Sequence, residues 1–86
     1  MDEQLVGKVT HYFGGPRVAA VEVTDTELRV GDTIRITGHT SNFTQEVESL
    51  EIDHKPVETA GIGDHVGIQL VDRARPNDLV FRTRPR

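Results

Sequence analysis

Two runs launched from Gly-Asp constrain this chain more than anything else in it: Val30-Gly31-Asp32-Thr33-Ile34-Arg35-Ile36 and Ile62-Gly63-Asp64-His65-Val66-Gly67-Ile68-Gln69-Leu70. In each, a glycine able to adopt positive φ precedes an aspartate able to accept hydrogen bonds from nearby backbone N–H groups. Apolar side chains then alternate with others at the period of a strand. A chain built this way turns sharply and then points Ile34 and Ile36, or Val66, Ile68 and Leu70, into a common core. No segment holds a 3.6-residue apolar period over the ten or more residues a helix needs, so the chain is expected to be all-β.

The rest of the sequence fits that plan. Leu5 to Phe13 reads as a first strand, with Val9 and Phe13 on one face and Lys8, Thr10 and Tyr12 on the other. Gly14-Gly15-Pro16 ends it, and Arg17 to Val23 returns as the second arm of a hairpin. After the polar Thr24-Asp25-Thr26-Glu27 turn, Leu28 and Val30 anchor the approach to the first Gly-Asp. Phe43, Gln45 and Val47 share a face, but Leu50 and Ile52 fall on the opposite parity, which requires a bulge near Glu48-Ser49. Asp53-His54-Lys55-Pro56 is a turn, and Leu79 to Thr83 is the final strand. Six short strands at this spacing favour a single six-stranded closed β-barrel over residues 4–83, followed by a basic tail at 84–86, because closure removes exposed sheet edges.

At 86 residues there is room for one domain with a compact core. The absence of cysteine rules out disulfides and thiolate chemistry and fits a reducing cytoplasm. The apolar runs are far shorter than the roughly 20 residues of a membrane helix, and the first four residues do not resemble a signal-peptide start. The protein is therefore expected to be soluble, unprocessed and cytoplasmic, with no membrane partner. A net charge of −4 argues against indiscriminate nucleic-acid binding. That charge is polarised along the chain: residues 1–72 carry −8 and the last 14 carry +4, through Arg73, Arg75, Arg82, Arg84 and Arg86. Such asymmetry can orient a partner or simply form a solvated face.

Catalytic signatures are weak. His11, His39, His54 and His65 lack zinc-ligand spacing, so they read as surface or hydrogen-bonded side chains and no metal is expected. Ser41 and Ser49 lie outside any Gly-x-Ser-x-Gly elbow, and paired acids such as Glu46/Glu48 and Glu51/Asp53 are what one exposed strand face presents. No phosphate-binding Gly-x4-Gly-Lys sequence occurs, so neither nucleotide nor other cofactor is expected. Candidate RNA or protein contacts are Lys8 and Tyr12 on one predicted face, and Arg73, Arg75, Arg82 and Arg84 towards the C-terminal end.

From Gly7 to Phe81 the order of landmarks resembles the β-barrel domain II of translational GTPases such as elongation factor Tu. The residues carrying it are Gly7-Lys8-Val9, Val18 to Val23, Leu28 to Ile34, Gln45 to Leu50, Ala60 to Ile68 and Asp78 to Phe81. His11-Tyr12-Phe13, Gly38-His39-Thr40 and Ile52 to Glu58 look closer still to small free-standing elongation-factor-like proteins. The resemblance implies a non-catalytic accessory binding module related to translation, with ribosomal RNA, tRNA or a protein as partner. A similar barrel at the C-terminal end of U32-type peptidases, where it is accessory, implies the alternative: a protein-interaction domain that docks on an enzyme.

Overall fold

The computed structural model describes residues 3–83, and within them the chain contains ten strands and no helix. In order these are β1 (Glu3–Phe13), β2 (Val18–Val23), β3 (Leu28–Arg29), β4 (Thr33–Thr37), β5 (Asn42–Glu46), β6 (Leu50–Ile52), β7 (Lys55–Val57), β8 (Thr59–Ala60), β9 (His65–Gln69) and β10 (Leu79–Thr83). Five of the six expected strands are present as single strands. The segment expected to be one bulged strand after Phe43 is instead split: β5 pairs with β4, the chain breaks at Val47–Ser49, and β6 pairs with β9 and β7. This break achieves the parity change that the burial of both Val47 and Leu50 requires.

Eight strands form one antiparallel sheet in the order β5-β4-β10-β1-β2-β9-β6-β7, and β3 and β8 form a separate two-stranded pair. The expected closed six-stranded barrel is thus corrected. The ladder ends at β5 and β7, which do not pair with each other. Both edges are managed without closure. On β7, Pro56 has no N–H to offer a further strand, and Lys55 places a charge beside it. Beside β5, the Gln45 side chain performs part of a strand's role: its Nε2 donates to Gln69 O at 3.0 Å and its Oε1 accepts from Val71 N at 2.7 Å.

Three corners repeat one construction. In Arg29-Val30-Gly31-Asp32, Gly61-Ile62-Gly63-Asp64 and Arg75-Pro76-Asn77-Asp78, the aspartate N–H donates back to the first residue's carbonyl at 3.0–3.1 Å. The first residue's N–H in turn donates to the aspartate Oδ2 at 2.8–2.9 Å. The third residue has positive φ in each case, 98° at Gly31, 96° at Gly63 and 76° at Asn77, which is type II turn geometry. That third residue and the aspartate together oppose one valine of the neighbouring chain. Gly31 N donates to Val47 O and Val47 N to Asp32 O; Gly63 and Asp64 treat Val23 likewise, and Asn77 and Asp78 treat Val9 likewise, all at 2.7–2.9 Å. Two residues facing one is a β-bulge of the kind that begins with a left-handed residue, and it bends and twists the strand it starts. The strands launched are β4, β9 and β10.

The bend brings one face inward. Val6, Val9, Val21, Val23, Leu28, Ile34, Ile36, Val47, Leu50, Val66, Ile68 and Val80 are all essentially buried, most of them β-branched, as suits a pleated surface. Each such side chain contributes about 1.5–3 kcal/mol by leaving water. Gly38 is fixed by the third corner, because a Cβ there would collide with the Asp78 carboxylate. In β1, Thr10 is bulged relative to β2. The bulge reverses side-chain parity, so Tyr12 turns towards the core and Phe13 emerges 49% exposed beside His11, with their ring centroids 4.4 Å apart. The expected pairing of Val9 with Phe13 on one face, and of Lys8 and Thr10 with Tyr12 on the other, is corrected accordingly.

Two predictions test these joints. Asp78 is 5% exposed and caps a corner, so Asp78→Ala should lower unfolding free energy by about 1–2 kcal/mol. Asn77→Gly should leave it unchanged or raise it by up to about 1 kcal/mol, because glycine adopts this φ freely; urea midpoints decide both. The second concerns acid. Arg35 reaches Glu3 through Nε to Oε2 at 2.7 Å and Nη2 to Oε1 at 2.8 Å, which holds the Glu3 carboxyl below the usual carboxylate range. A carboxyl depressed in the folded state stabilises fully above its unfolded value and loses that contribution as pH falls through the lowered one. Thermal unfolding from pH 5.5 to 3 should therefore show a shallower loss of Tm in Glu3→Gln than in the parent chain.

Candidate functional site

Between the tip of the β1–β2 hairpin and the loop joining β9 to β10 lies an open groove of about 700 Å³, lined by Tyr12, Arg17, Arg73 and Arg75 among others. The loop is tied down along its length. Val71 N is held by Gln45, Arg73 N by Asp72 Oδ1 at 2.7 Å, and Arg75 N by Asp78 Oδ2 at 2.9 Å. The Ala74 side chain is buried in the core, so Arg73 and Arg75 on either side of it face solvent. The loop therefore works as a fixed mount for two guanidiniums.

Arg17 arrives from the opposite wall. It is the last residue of the four-residue hairpin loop Gly14 to Arg17, and its carbonyl accepts from Leu70 N at 2.8 Å. Its φ is 60°, in the left-handed region that disfavours any side chain by about 1–2 kcal/mol. Gly14 and Gly15 beside it do not have positive φ. The loop thus places glycine where the backbone does not require it and arginine where it does. Among the described residues the ion pairs are Arg29–Glu27, Arg35–Glu3 and Arg82–Asp32, and Arg17, Arg73 and Arg75 take part in none. One acid, Asp72, shares the groove lining with them.

Of the residues expected from sequence to make contacts, the structure gathers Tyr12, Arg73 and Arg75 in this groove. Arg17 joins them, having been read only as the start of a strand. Its signal was present, since an arginine closing a Gly-Gly-Pro hairpin loop must adopt a turn conformation. Lys8 lies exposed in the middle of β1, opposite Glu22 and Leu79, and does not line the groove. Arg82 points inward, donating to Gln4 Oε1 at 2.6 Å and Glu27 O at 3.4 Å, with Asp32 at 3.8 Å. It braces β10 against the turn before β3. Arg84, with the basic tail, lies outside the described residues.

On the other side of the hairpin, a second groove of about 550 Å³ is mainly apolar, with Phe13, Pro16, Val18 and Val66 in its lining and His54, His65, Glu51 and Asp53 also present. Asp53 and His54 form the two-residue β6–β7 turn, both at positive φ. Among the described residues no three His, Asp or Glu side chains gather as metal ligands. Ser41 is buried with its hydroxyl towards Arg73 O, and Ser49 is exposed in the break between β5 and β6.

No protein-family model matches the chain. In sequence it is similar to an uncharacterised protease of Methanocaldococcus jannaschii, 38% identical over 88% of this chain and 19% of that protein. It is similar also to a collagenase of Porphyromonas gingivalis, 37% identical over 90% of this chain and 22% of that protein. The chain thus spans about a fifth of the length of these relatives. In structure it is similar to the C-terminal domain of a Geobacillus thermoleovorans protein assigned to the U32 peptidases. One crystal structure of that domain superposes with a TM-score of 0.87 at 20% identity, covering 94% of this chain and 93% of that one. Its selenomethionine variant gives 0.86 at 22% identity, covering 93% and 99%. The fold is therefore shared with that domain.

These findings overturn the assignment to the domain II type of translational GTPases, and with it the expectations of translation, ribosome and RNA binding. In fold they agree instead with the alternative, a domain like the C-terminal one of a U32-type peptidase. The landmarks that suggested domain II were turns and inward strand residues, which record how a small sheet bends and carry no information about a partner.

The strain at Arg17 has a measurable consequence. Arg17→Gly should raise the unfolding free energy by about 0.5–1 kcal/mol, a rise in Tm of roughly 2–8 °C for a domain of this size. Thermal unfolding of the two proteins in one buffer measures it.

Proposed function

We propose that the chain is a non-catalytic accessory domain that docks on a peptidase-type catalytic unit. The observation that carries this reading is one of proportion. The chain covers 99% of a solved C-terminal domain but only about a fifth of its protease and collagenase relatives, so it corresponds to one domain-sized part of a larger molecule. The surface suited to such a contact is the apolar groove beside Phe13 and Pro16, where a large aromatic side chain stands half in water. Burying Phe13 would contribute more than any other single exposed residue there, since aromatic anchors dominate interface energetics.

The test uses the M. jannaschii protease shortened by the segment that matches this chain, with the chain supplied separately or fused in its place. The chain alone should cleave neither casein nor gelatin. It should co-elute with the shortened protease, and Phe13→Ser should weaken that association at least tenfold without lowering Tm. Hydrolysis by the isolated chain, or no association in either format, would overturn the reading.

A further inference from the structure

We propose that the groove lined by Tyr12, Arg17, Arg73 and Arg75 is a binding site for an acidic peptide segment, with the three guanidiniums receiving its side-chain carboxylates. This site is distinct from the apolar groove, and its occupation does not depend on the docking reading, because it can be measured on the chain alone.

Three observations converge on it. The first is charge: three arginines line one groove of about 700 Å³ with a single acid, on a molecule whose net charge is −4. Each is without an ion-pair partner among the described residues, whereas Arg29, Arg35 and Arg82 all have one. The second is rigidity. Arg73 and Arg75 flank the buried Ala74 on a loop pinned by Gln45, Asp72 and Asp78, and Arg17 is held by its carbonyl against Leu70 N at 2.8 Å. The backbone at each arginine is thereby fixed, so the three side chains start from set positions around the groove, and the planar fork of a guanidinium is suited to a carboxylate. The third is backbone strain. Arg17 occupies a left-handed position that glycine would fill without penalty, and two glycines stand beside it in ordinary conformations. Strain kept at an exposed residue points to use of its side chain, since packing does not require it.

The chemistry favours a peptide over a nucleic acid. A nucleic-acid groove needs a row of cations and stacking surfaces, and here the cations are three and the aromatic is the single half-buried Tyr12. Its phenol can add a hydrogen bond to a carboxylate or a peptide carbonyl. Glu46 and Glu48, which line the adjoining depression with Arg17, limit the length of acidic chain that can follow. A short segment with two or three carboxylates fits this distribution of charge.

Fluorescence anisotropy with a labelled ten-residue Glu/Asp peptide, blocked at both ends, tests the proposal at low ionic strength. Comparison peptides are its Gln/Asn counterpart and a neutral peptide with a free C-terminal carboxylate. Wild type should bind the acidic peptide at least tenfold more tightly than either. Arg17→Gly, Arg73→Gln and Arg75→Gln should each weaken binding about tenfold or more, Arg17→Gly while being at least as stable as the parent. Lys55→Gln, on the distant edge strand β7, should leave binding unchanged. The proposal is overturned if Arg17→Gly binds as the parent does, if Lys55→Gln weakens binding equally, if either neutral peptide binds as well, or if oligouridylate of equal charge displaces the peptide preferentially.

Discussion

The structure depends on one backbone exchange made three times: a turn residue with positive φ gives its N–H to a valine carbonyl, and that valine gives its N–H to the carbonyl of the aspartate that follows the turn. The valines, Val47, Val23 and Val9, are all buried, so the exchange is made where water cannot replace it. An unpaired buried N–H or carbonyl costs about 1–3 kcal/mol, and each corner contains several such groups. The aspartate side chain then satisfies the first N–H of its own turn. With no helix and no disulfide among the described residues, these corners take up the bending that lets a single sheet enclose its own core.

The bending stops short of closure. At one end of the sheet, Pro56 and Lys55 discourage any further strand; near the other, one glutamine amide connects β5 to the end of β9. A side-chain link in place of a ladder allows the loop after β9 to leave the sheet. That loop is the wall of the arginine groove, so the missing pairing and the candidate site have a common origin.

Much of this could be read from the residues. Gly31-Asp32 and Gly63-Asp64 marked two corners because glycine signals positive φ directly. The third is not marked in the same way, because Asn77 stands in the glycine position, although asparagine is the next residue to tolerate it. The inward set Ile34, Ile36, Val66, Ile68 followed from alternation, whereas Phe13 did not, since the bulge at Thr10 arises from pairing with β2 and leaves no local trace. The short strands β3, β7 and β8 are two or three residues long, below what any periodicity can report. Closure was misjudged for a related reason: whether the end strands meet depends on accumulated twist and register. At the groove, Tyr12, Arg73 and Arg75 stood out by residue type; Arg17 was passed over because it reads as the first residue of the returning strand, and Arg82 looked available until its inward partners were seen.

Amide hydrogen exchange tests the role of the three corners most directly. If they hold the fold together, the N–H groups of Gly31, Gly63 and Asn77, and of Val47, Val23 and Val9, will be among the slowest in the protein. They will exchange together at the free energy of global unfolding. Rapid exchange at the turn residues, at rates like those of exposed loops and independent of global stability, would contradict the account.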